Sequence, residues 1–169
     1  MMTKRMLARI VSLSLAVTML LSCGVLLTHA SDVYEVMAFE NKIGIIDMHG
    51  SGEVGQRMYV NGPFCAVSIK IGTHKTTDSD ISMSVFAWTG DYESTVEAEP
   101  LATTRFVDCV DNATNWFEFG KTLPAGEYLF LLHELEGQMA IYASGNNKVS
   151  LGSSYHNGNE LMRDLFITV

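Results

Sequence analysis

Two pairs of aspartates are the residues of this sequence whose type and spacing best suit the binding of a metal ion. Asp78 and Asp80 are separated by one serine, and Asp108 and Asp111 by two residues. Carboxylate oxygens are ligands that Ca²⁺ prefers, but neither pair continues into the Asp-x-Asp-x-Asp-Gly loop of an EF-hand. We therefore expect solvated acidic turns and no cofactor, with a structural calcium ion as the open alternative.

Catalytic motifs are missing from the sequence. Hydrolysis of a glycosidic bond would need two carboxyl groups about 5 to 10 Å apart in a cleft, one of them with a raised pKa. Glu118, Glu127 and Glu134 are available, but nothing in their sequence context marks one as desolvated. No Gly-x-Ser-x-Gly, Cys/His or His-Glu-x-x-His arrangement is found. We therefore expect a protein without enzymatic activity.

An export signal occupies residues 1–30. Three basic residues precede an apolar run at 10–27, which ends in Thr-His-Ala. This is the pattern of a cleaved signal peptide, so Ser31 is the expected first mature residue and the protein is secreted or held at the cell surface. Two alternatives stay open. One is a lipoprotein anchored through Cys23, and the other is a retained membrane anchor, since spans of about 17 to 25 residues cross a bilayer.

Residues 31–169 are expected to form a single domain without a membrane span. They carry 8 basic and 19 acidic residues, a formal charge of −11. Such a surface repels phosphate backbones and anionic lipids, so nucleic acid is not an expected partner. Two cysteines remain, and an even pair in an exported chain predicts a Cys65–Cys109 disulfide, with two separate buried thiols as the alternative.

Short segments with period-two alternation predict an all-β fold. The segments are divided by Gly, Asn, Asp and Ser, and no helical stripe follows residue 30. About ten such strands predict an antiparallel β-sandwich of the jelly-roll type. The expected strands are 34–39, 42–48, 57–60, 64–71, 81–88, 103–110, 116–119, 126–133, 138–143, 149–153 and 165–169.

Alternation also predicts which side chains face the core. In the strand at 81–88, Ile81, Met83, Val85 and Ala87 share one face, which places Trp88 off the main core. In the strand at 64–71, Cys65 shares the core face with the apolar residues that follow it.

Three further strands yield specific expectations. Phe117 is expected to point inward, and Trp116 and Tyr142 outward. The strand at 126–133 contains a continuous apolar run, which predicts a central strand buried on both faces.

Residues 85–128 carry a family resemblance. The segment contains Trp88-Thr-Gly-Asp-Tyr, then Asp111-Asn112, then Trp116-Phe-Glu-Phe, and closes on Pro-Ala-Gly-Glu-Tyr128 before an apolar strand. This order resembles the jelly-roll modules of carbohydrate-binding and galactose-binding-like type that accompany secreted bacterial glycoside hydrolases and cell-surface proteins. It covers roughly a third of the mature chain.

The resemblance implies a non-catalytic domain that binds an extracellular glycan. Aromatic rings would stack on sugar rings, and acids and amides would bind hydroxyl groups. The negative surface favours a neutral sugar. The alternative is a structural or adhesive surface domain that binds a protein partner through exposed aromatic side chains. The candidate sugar-binding residues are Trp88, Asp91, Tyr92, Asp111, Asn112 and Trp116.

Overall fold

Twelve β-strands and one short helix make up the described part of the chain. The structure is a computed structural model that describes residues 35–36, 43–76, 78–145 and 152–169. The expected signal peptide at 1–30, with Cys23, lies outside the described residues, as does most of the strand expected at 149–153. The elements are β1 (Glu35–Val36), β2 (Ile43–His49), β3 (Val54–Val60), β4 (Phe64–Gly72), β5 (Asp80–Ala87), α1 (Tyr92–Val96), β6 (Ala102–Phe106), β7 (Ala113–Leu123), β8 (Gly126–Glu136), β9 (Gln138–Ser144), β10 (Ser153–His156), β11 (Asn159–Leu161) and β12 (Ile167–Thr168).

The strands form two six-stranded antiparallel sheets. Sheet A has the order β1-β12-β4-β9-β2, and β7 also pairs with β4. Sheet B has the order β11-β10-β3-β8-β5-β6. Strands β2 to β9 pair in a nested way: β2 with β9, β3 with β8, β4 with β7 and β5 with β6. These pairs alternate between the two sheets, which is the winding of a jelly roll, and the expected all-β sandwich is confirmed.

The main core lies between the sheets. Sheet A contributes Phe117 from β7, and sheet B contributes Tyr128, Phe130 and Leu132 from β8. Burial of a large apolar side chain contributes about 1.5–3 kcal/mol, so this interface is the main source of stability. Trp116, next to Phe117, is exposed on the opposite face of β7, as the alternation predicts.

Sheet B is buried on its outer face as well. An outer cluster, consisting of Phe86, Tyr92, Leu129, Leu131 and Tyr155, packs there with Trp88 and Val96 against it. The side chains of β8 therefore alternate between two apolar environments, which confirms the prediction of a strand buried on both faces. In β5, Ile81, Met83 and Val85 enter the main core, while Trp88 lies off it as expected and Ala87 is exposed at the strand end.

The expected Cys65–Cys109 disulfide is wrong. Both thiols are free, with Cys65 exposed and Cys109 buried. The register between β4 and β7 shifts between Phe64 and Ala66. This irregularity breaks the period-two count, because Phe64 enters the core together with Val67 and Cys65 turns outward.

One helix and one hairpin were not predicted. Helix α1 is only five residues long, too short to show helical periodicity. Strands β10 and β11 form a hairpin whose turn is Asn157-Gly158, with φ of 50° and 76°. Positive φ at both positions is the geometry of the two-residue turn that Asn-Gly favours.

Candidate functional site

A cleft of about 320 Å³ opens on the outer face of sheet A. Its floor is formed where Gly72 of β4 pairs with Ala140 of β9. Cross-strand partners point to the same face of a sheet, and these two positions carry a hydrogen atom and a methyl group. The cleft exists because two adjacent strands both present almost no side chain there.

Tyr142 forms one wall of the cleft. It lies two residues after Ala140 on β9 and pairs with Ile45 of β2, which also lines the cleft. Lys70 Nζ lies 4.8 Å from the centroid of the Tyr142 ring, and Phe166 meets that ring edge-on at 6.5 Å. These contacts hold the phenol ring in place, so it is a rigid partner for a ligand.

Asp111 and Asn112 form the part of the wall that adjoins Tyr142. Asp111 Oδ1 accepts a 2.7 Å hydrogen bond from the Thr73 backbone N–H, and Asp111 Oδ2 accepts a 2.9 Å bond from Asn112 Nδ2. The Tyr142 hydroxyl donates to Asn112 Oδ1. A chain of hydrogen bonds thus joins the ends of three strands around the cleft.

The loop after β4 completes the rim with His74 and Lys75. Both residues have positive φ, 52° and 68°, which is uncommon outside glycine. Reciprocal hydrogen bonds between Thr73 and Thr76, at 2.8 and 2.7 Å, hold the loop in this shape. His74 Nε2 lies 3.4 Å from Asp47 Oδ1. The strained backbone therefore positions two cationic or titratable side chains beside the Tyr142 ring.

Trp116 lies on the same face as the cleft. It pairs with Ser68, and Ser68 and Gly72 share the outer face of β4 because they are four residues apart. That separation is roughly 13 Å along the strand. The indole is 47% exposed, which leaves ring surface free beside the cleft.

Trp88 and Tyr92 lie elsewhere, in the outer cluster on sheet B. The Trp88 ring has the Arg57 guanidinium 4.5 Å from its centroid and Tyr155 at 6.1 Å. Tyr92 is only 7% exposed, stacks on Tyr155 at 4.8 Å, and donates a hydrogen bond to Glu53. Both rings thus make extensive contacts within the protein, and a ligand role for them stays a prediction.

Asp91 caps the start of α1. Its Oδ1 accepts a 2.8 Å hydrogen bond from the Ser94 backbone N–H, and this bond lowers the pKa of the carboxyl group. The six candidate residues therefore divide into two groups. Asp111, Asn112 and Trp116 come together on sheet A, whereas Trp88, Asp91 and Tyr92 lie on the sheet B side.

Gly72 and Lys75 were absent from the sequence-based candidates. The available signal for Gly72 was a glycine ending an alternating apolar strand, which often marks close approach of a ligand or another backbone. Lys75 had no signal, because its role depends on the shape of the loop that carries it.

A contact between a serine and a histidine on sheet B resembles part of a catalytic arrangement. Ser84 Oγ lies 2.8 Å from His133 Nε2, and His133 Nδ1 lies 3.9 Å from Glu134 Oε2. The second distance is too long for a hydrogen bond, and Ser84 is 3% exposed and also bonded to Thr103 Oγ1 at 2.8 Å. These contacts join β6, β5 and β8 across the sheet and do not present an accessible nucleophile.

A second cavity, of about 370 Å³, lies beside the β2–β3 loop. Its lining includes His49, Glu53 and Asn157 but no Phe, Tyr or Trp side chain. The Asn157 side chain accepts a 2.9 Å hydrogen bond from the Glu53 backbone N–H and so fastens the loop. This cavity lacks the flat apolar surface that the Tyr142 cleft has.

Within residues 35–36, 43–76, 78–145 and 152–169, no three His, Cys, Asp or Glu side chains come together as metal ligands. Asp80, one of the calcium candidates, accepts from the Asp108 backbone N–H at 2.9 Å and contacts Arg105 at 3.5 Å. None of the helices among these residues has the length and apolar character to cross a membrane.

No family model matches this chain, and no curated protein sequence matches it.

Proposed function

We propose that the outer face of sheet A binds an extracellular glycan. The observation that carries the proposal is the Tyr142 cleft, where a fixed aromatic ring, Asp111, Asn112 and Lys75 surround a floor of Gly72 and Ala140. An apolar ring face combined with a few convergent polar groups is what a sugar ring requires.

The aromatic and the polar side chains bind different parts of the sugar. The ring of Tyr142 covers the apolar face of one sugar, while Asn112 and the rim side chains bind its hydroxyl groups. An unpaired hydroxyl in such a site costs about 1–3 kcal/mol, so both kinds of contact are needed. Trp116, on the same face, supplies a second ring for a neighbouring sugar unit of a longer chain.

The setting of the domain supports the same function. A signal peptide would deliver it to the cell exterior, secreted or anchored through Cys23, where polysaccharides are abundant. The resemblance of residues 85–128 to carbohydrate-binding and galactose-binding-like modules points the same way. Binding without catalysis fits the lack of catalytic motifs in the sequence.

A glycan array followed by calorimetric titration tests the proposal. Tyr142→Ala removes the ring and is expected to lower affinity at least about tenfold, the loss for about 1.4 kcal/mol of contact. Gly72→Ala is a second variant. Its added methyl group would lie 3.5 Å from Tyr142 and 3.6 Å from Asn112, ordinary contact distances, so it raises the cleft floor without a clash.

The control is Tyr59→Ala, which removes another exposed tyrosine, this one from β3 of sheet B. It should leave affinity unchanged. Absence of any bound glycan, or full affinity in Tyr142→Ala, would overturn the proposal. A run with calcium chelated shows whether the ion is needed.

One observation favours a second candidate function, the binding of a protein partner. Val107, Val110 and Trp116 are large, exposed apolar side chains that fall within ten residues of each other in the sequence. Large exposed apolar side chains are what protein interaction surfaces use. This function would appear as concentration-dependent association in sedimentation, lost in Val107→Ser/Val110→Ser, with no saturable sugar binding.

A further inference from the structure

Each side-chain oxygen of Asp111 and Asn112 in the Tyr142 cleft accepts a hydrogen bond from the protein. Both carboxylate oxygens of Asp111 accept hydrogen bonds, from Thr73 and Asn112, and the amide oxygen of Asn112 accepts from Tyr142. Asp111 therefore acts mainly as a positioning residue for Asn112.

The donors of the cleft are in excess. Asn112 Nδ2 carries two N–H groups, one of which points to Asp111. Lys75 contributes three N–H groups on an exposed ammonium. A cleft rich in donors is complementary to a ligand rich in acceptors.

The charges near the cleft further indicate that a negatively charged ligand is preferred. Arg57 pairs with Glu127 at 2.6 Å, and Arg105 pairs with Glu136 at 2.9 Å. By contrast, neither Lys70 nor Lys75 has an acidic side chain within 4 Å in the part of the chain that the structure describes. Lys70 lies over the Tyr142 ring and Lys75 lines the same cleft, so two lysines without an ion pair among the described residues accompany the one carboxylate of the lining, Asp111, whose oxygens both accept hydrogen bonds.

We infer that the cleft selects an acidic sugar, one whose carboxylate lies against Lys75 while its ring lies against Tyr142. The inference rests on the proposed glycan-binding function and replaces the neutral sugar that net charge alone would favour. Local charge decides here, because the Debye length of about 8 Å at physiological salt screens most of the surface from the ligand.

The test compares acidic glycans with matched neutral ones. Trigalacturonate and its methyl ester share a sugar ring and differ in charge, and sialyllactose and lactose form a second pair. Calorimetry on the purified protein is expected to give about fivefold tighter binding of the acidic member of at least one pair at low salt. Salt at about 0.5 M should remove that difference, since it screens exposed charges.

Lys75→Gln tests whether the charge of Lys75 causes the preference for the acidic glycan. It should remove the preference for the acidic glycan and leave the affinity for the neutral one intact. Lys121→Gln is the control, because Lys121 is an exposed lysine of β7 outside the cleft lining. It should keep the preference.

The outcomes separate the two proposals. If neutral and acidic members bind equally, the acidic-sugar inference is wrong and glycan binding stands. If the preference for the acidic glycan survives in Lys75→Gln, the carboxylate of the ligand does not bind at Lys75 and the inference is again wrong. If no glycan binds, the proposed function and the inference are both overturned.

Discussion

Tyr92 donates a 2.5 Å hydrogen bond from its hydroxyl to Oε1 of Glu53, joining α1 to the residue before β3. Tyr92 is buried on its outer side by Tyr155 and lies near Gly158 of the β10–β11 turn. One phenol group therefore ties together three segments that are distant in sequence. Burial first, and then the bond to Glu53 and its negative charge, raise the pKa of Tyr92 above its ordinary value of 10.0.

Stability should fall as pH rises above about 10. The folded protein holds the phenolic proton of Tyr92 where the unfolded chain releases it, so the folded state binds more protons and the free energy of unfolding decreases with pH. Burial also raises the pKa of Tyr128 and Tyr155, which act in the same direction. Urea unfolding at pH 8 and at about pH 10.5 measures the loss.

Tyr92→Phe isolates the contribution of this one group. The variant should lose about 1 kcal/mol at pH 8, where the hydrogen bond to Glu53 is missing, and should show a smaller further loss at high pH. Tyr59→Phe is the control, since that ring is exposed. An unchanged pH slope in Tyr92→Phe would contradict the assignment.

Two neighbouring aromatic residues of β7 should differ sharply in their contribution to stability. Phe117 is 1% exposed in the main core, so Phe117→Ala should cost about 3–5 kcal/mol of unfolding free energy. Trp116 points to the outer face, so Trp116→Ala should cost about 1 kcal/mol or less. Urea titration of both variants checks this, and equal losses would mean that the faces of β7 are reversed.

Cys65 and Cys109 should react separately. Cys65 is exposed and should react with a thiol reagent in the native protein. Cys109 should react only on unfolding, because burial, followed by the charges of Asp80 and Asp108, raises its pKa to about 12. In a Cys23→Ser chain prepared without reductant, we expect one reactive thiol when native and two in denaturant. No reactive thiol in denaturant would show a disulfide.

The turn between β10 and β11 should depend on Asn157. Its φ of 50° suits asparagine better than alanine, and its side chain accepts the Glu53 backbone N–H at 2.9 Å. Asn157→Ala should therefore lower the free energy of unfolding by about 1–2 kcal/mol. Asn61→Ala, at an exposed loop position, is the control and should change stability little. Equal values for the two variants would contradict the role of the turn.

Period-two alternation accounts for what could be predicted of the fold. Successive side chains of a strand point to opposite faces whatever the strand pairs with, so the directions of Phe117 and Trp116 follow from local sequence. The two-sided burial of β8 follows instead from its continuous apolar run. The Asn157-Gly158 dipeptide is also a hairpin signal in the sequence.

Two features could not be predicted from alternation: the register shift between β4 and β7, and the packing of another residue against Trp88. The shift at Phe64 reverses the side on which Cys65 lies, and it exists only in relation to the partner strand β7. Trp88 does lie off the main core. Its side chain is nevertheless packed within the protein, because it contacts Tyr155, which belongs to a strand more than sixty residues later in the sequence.

The sequence by itself determined the all-β class, the direction in which most strand side chains point, and the polar and aromatic residue types from which a site could be built. Only the tertiary structure decided which of them meet. Asp111, Asn112 and Trp116 share a face with Tyr142 because β4 pairs with both β7 and β9. Alternation is a property of a single strand, whereas a cleft depends on which strands become neighbours, and that pairing is decided by burial of the whole core.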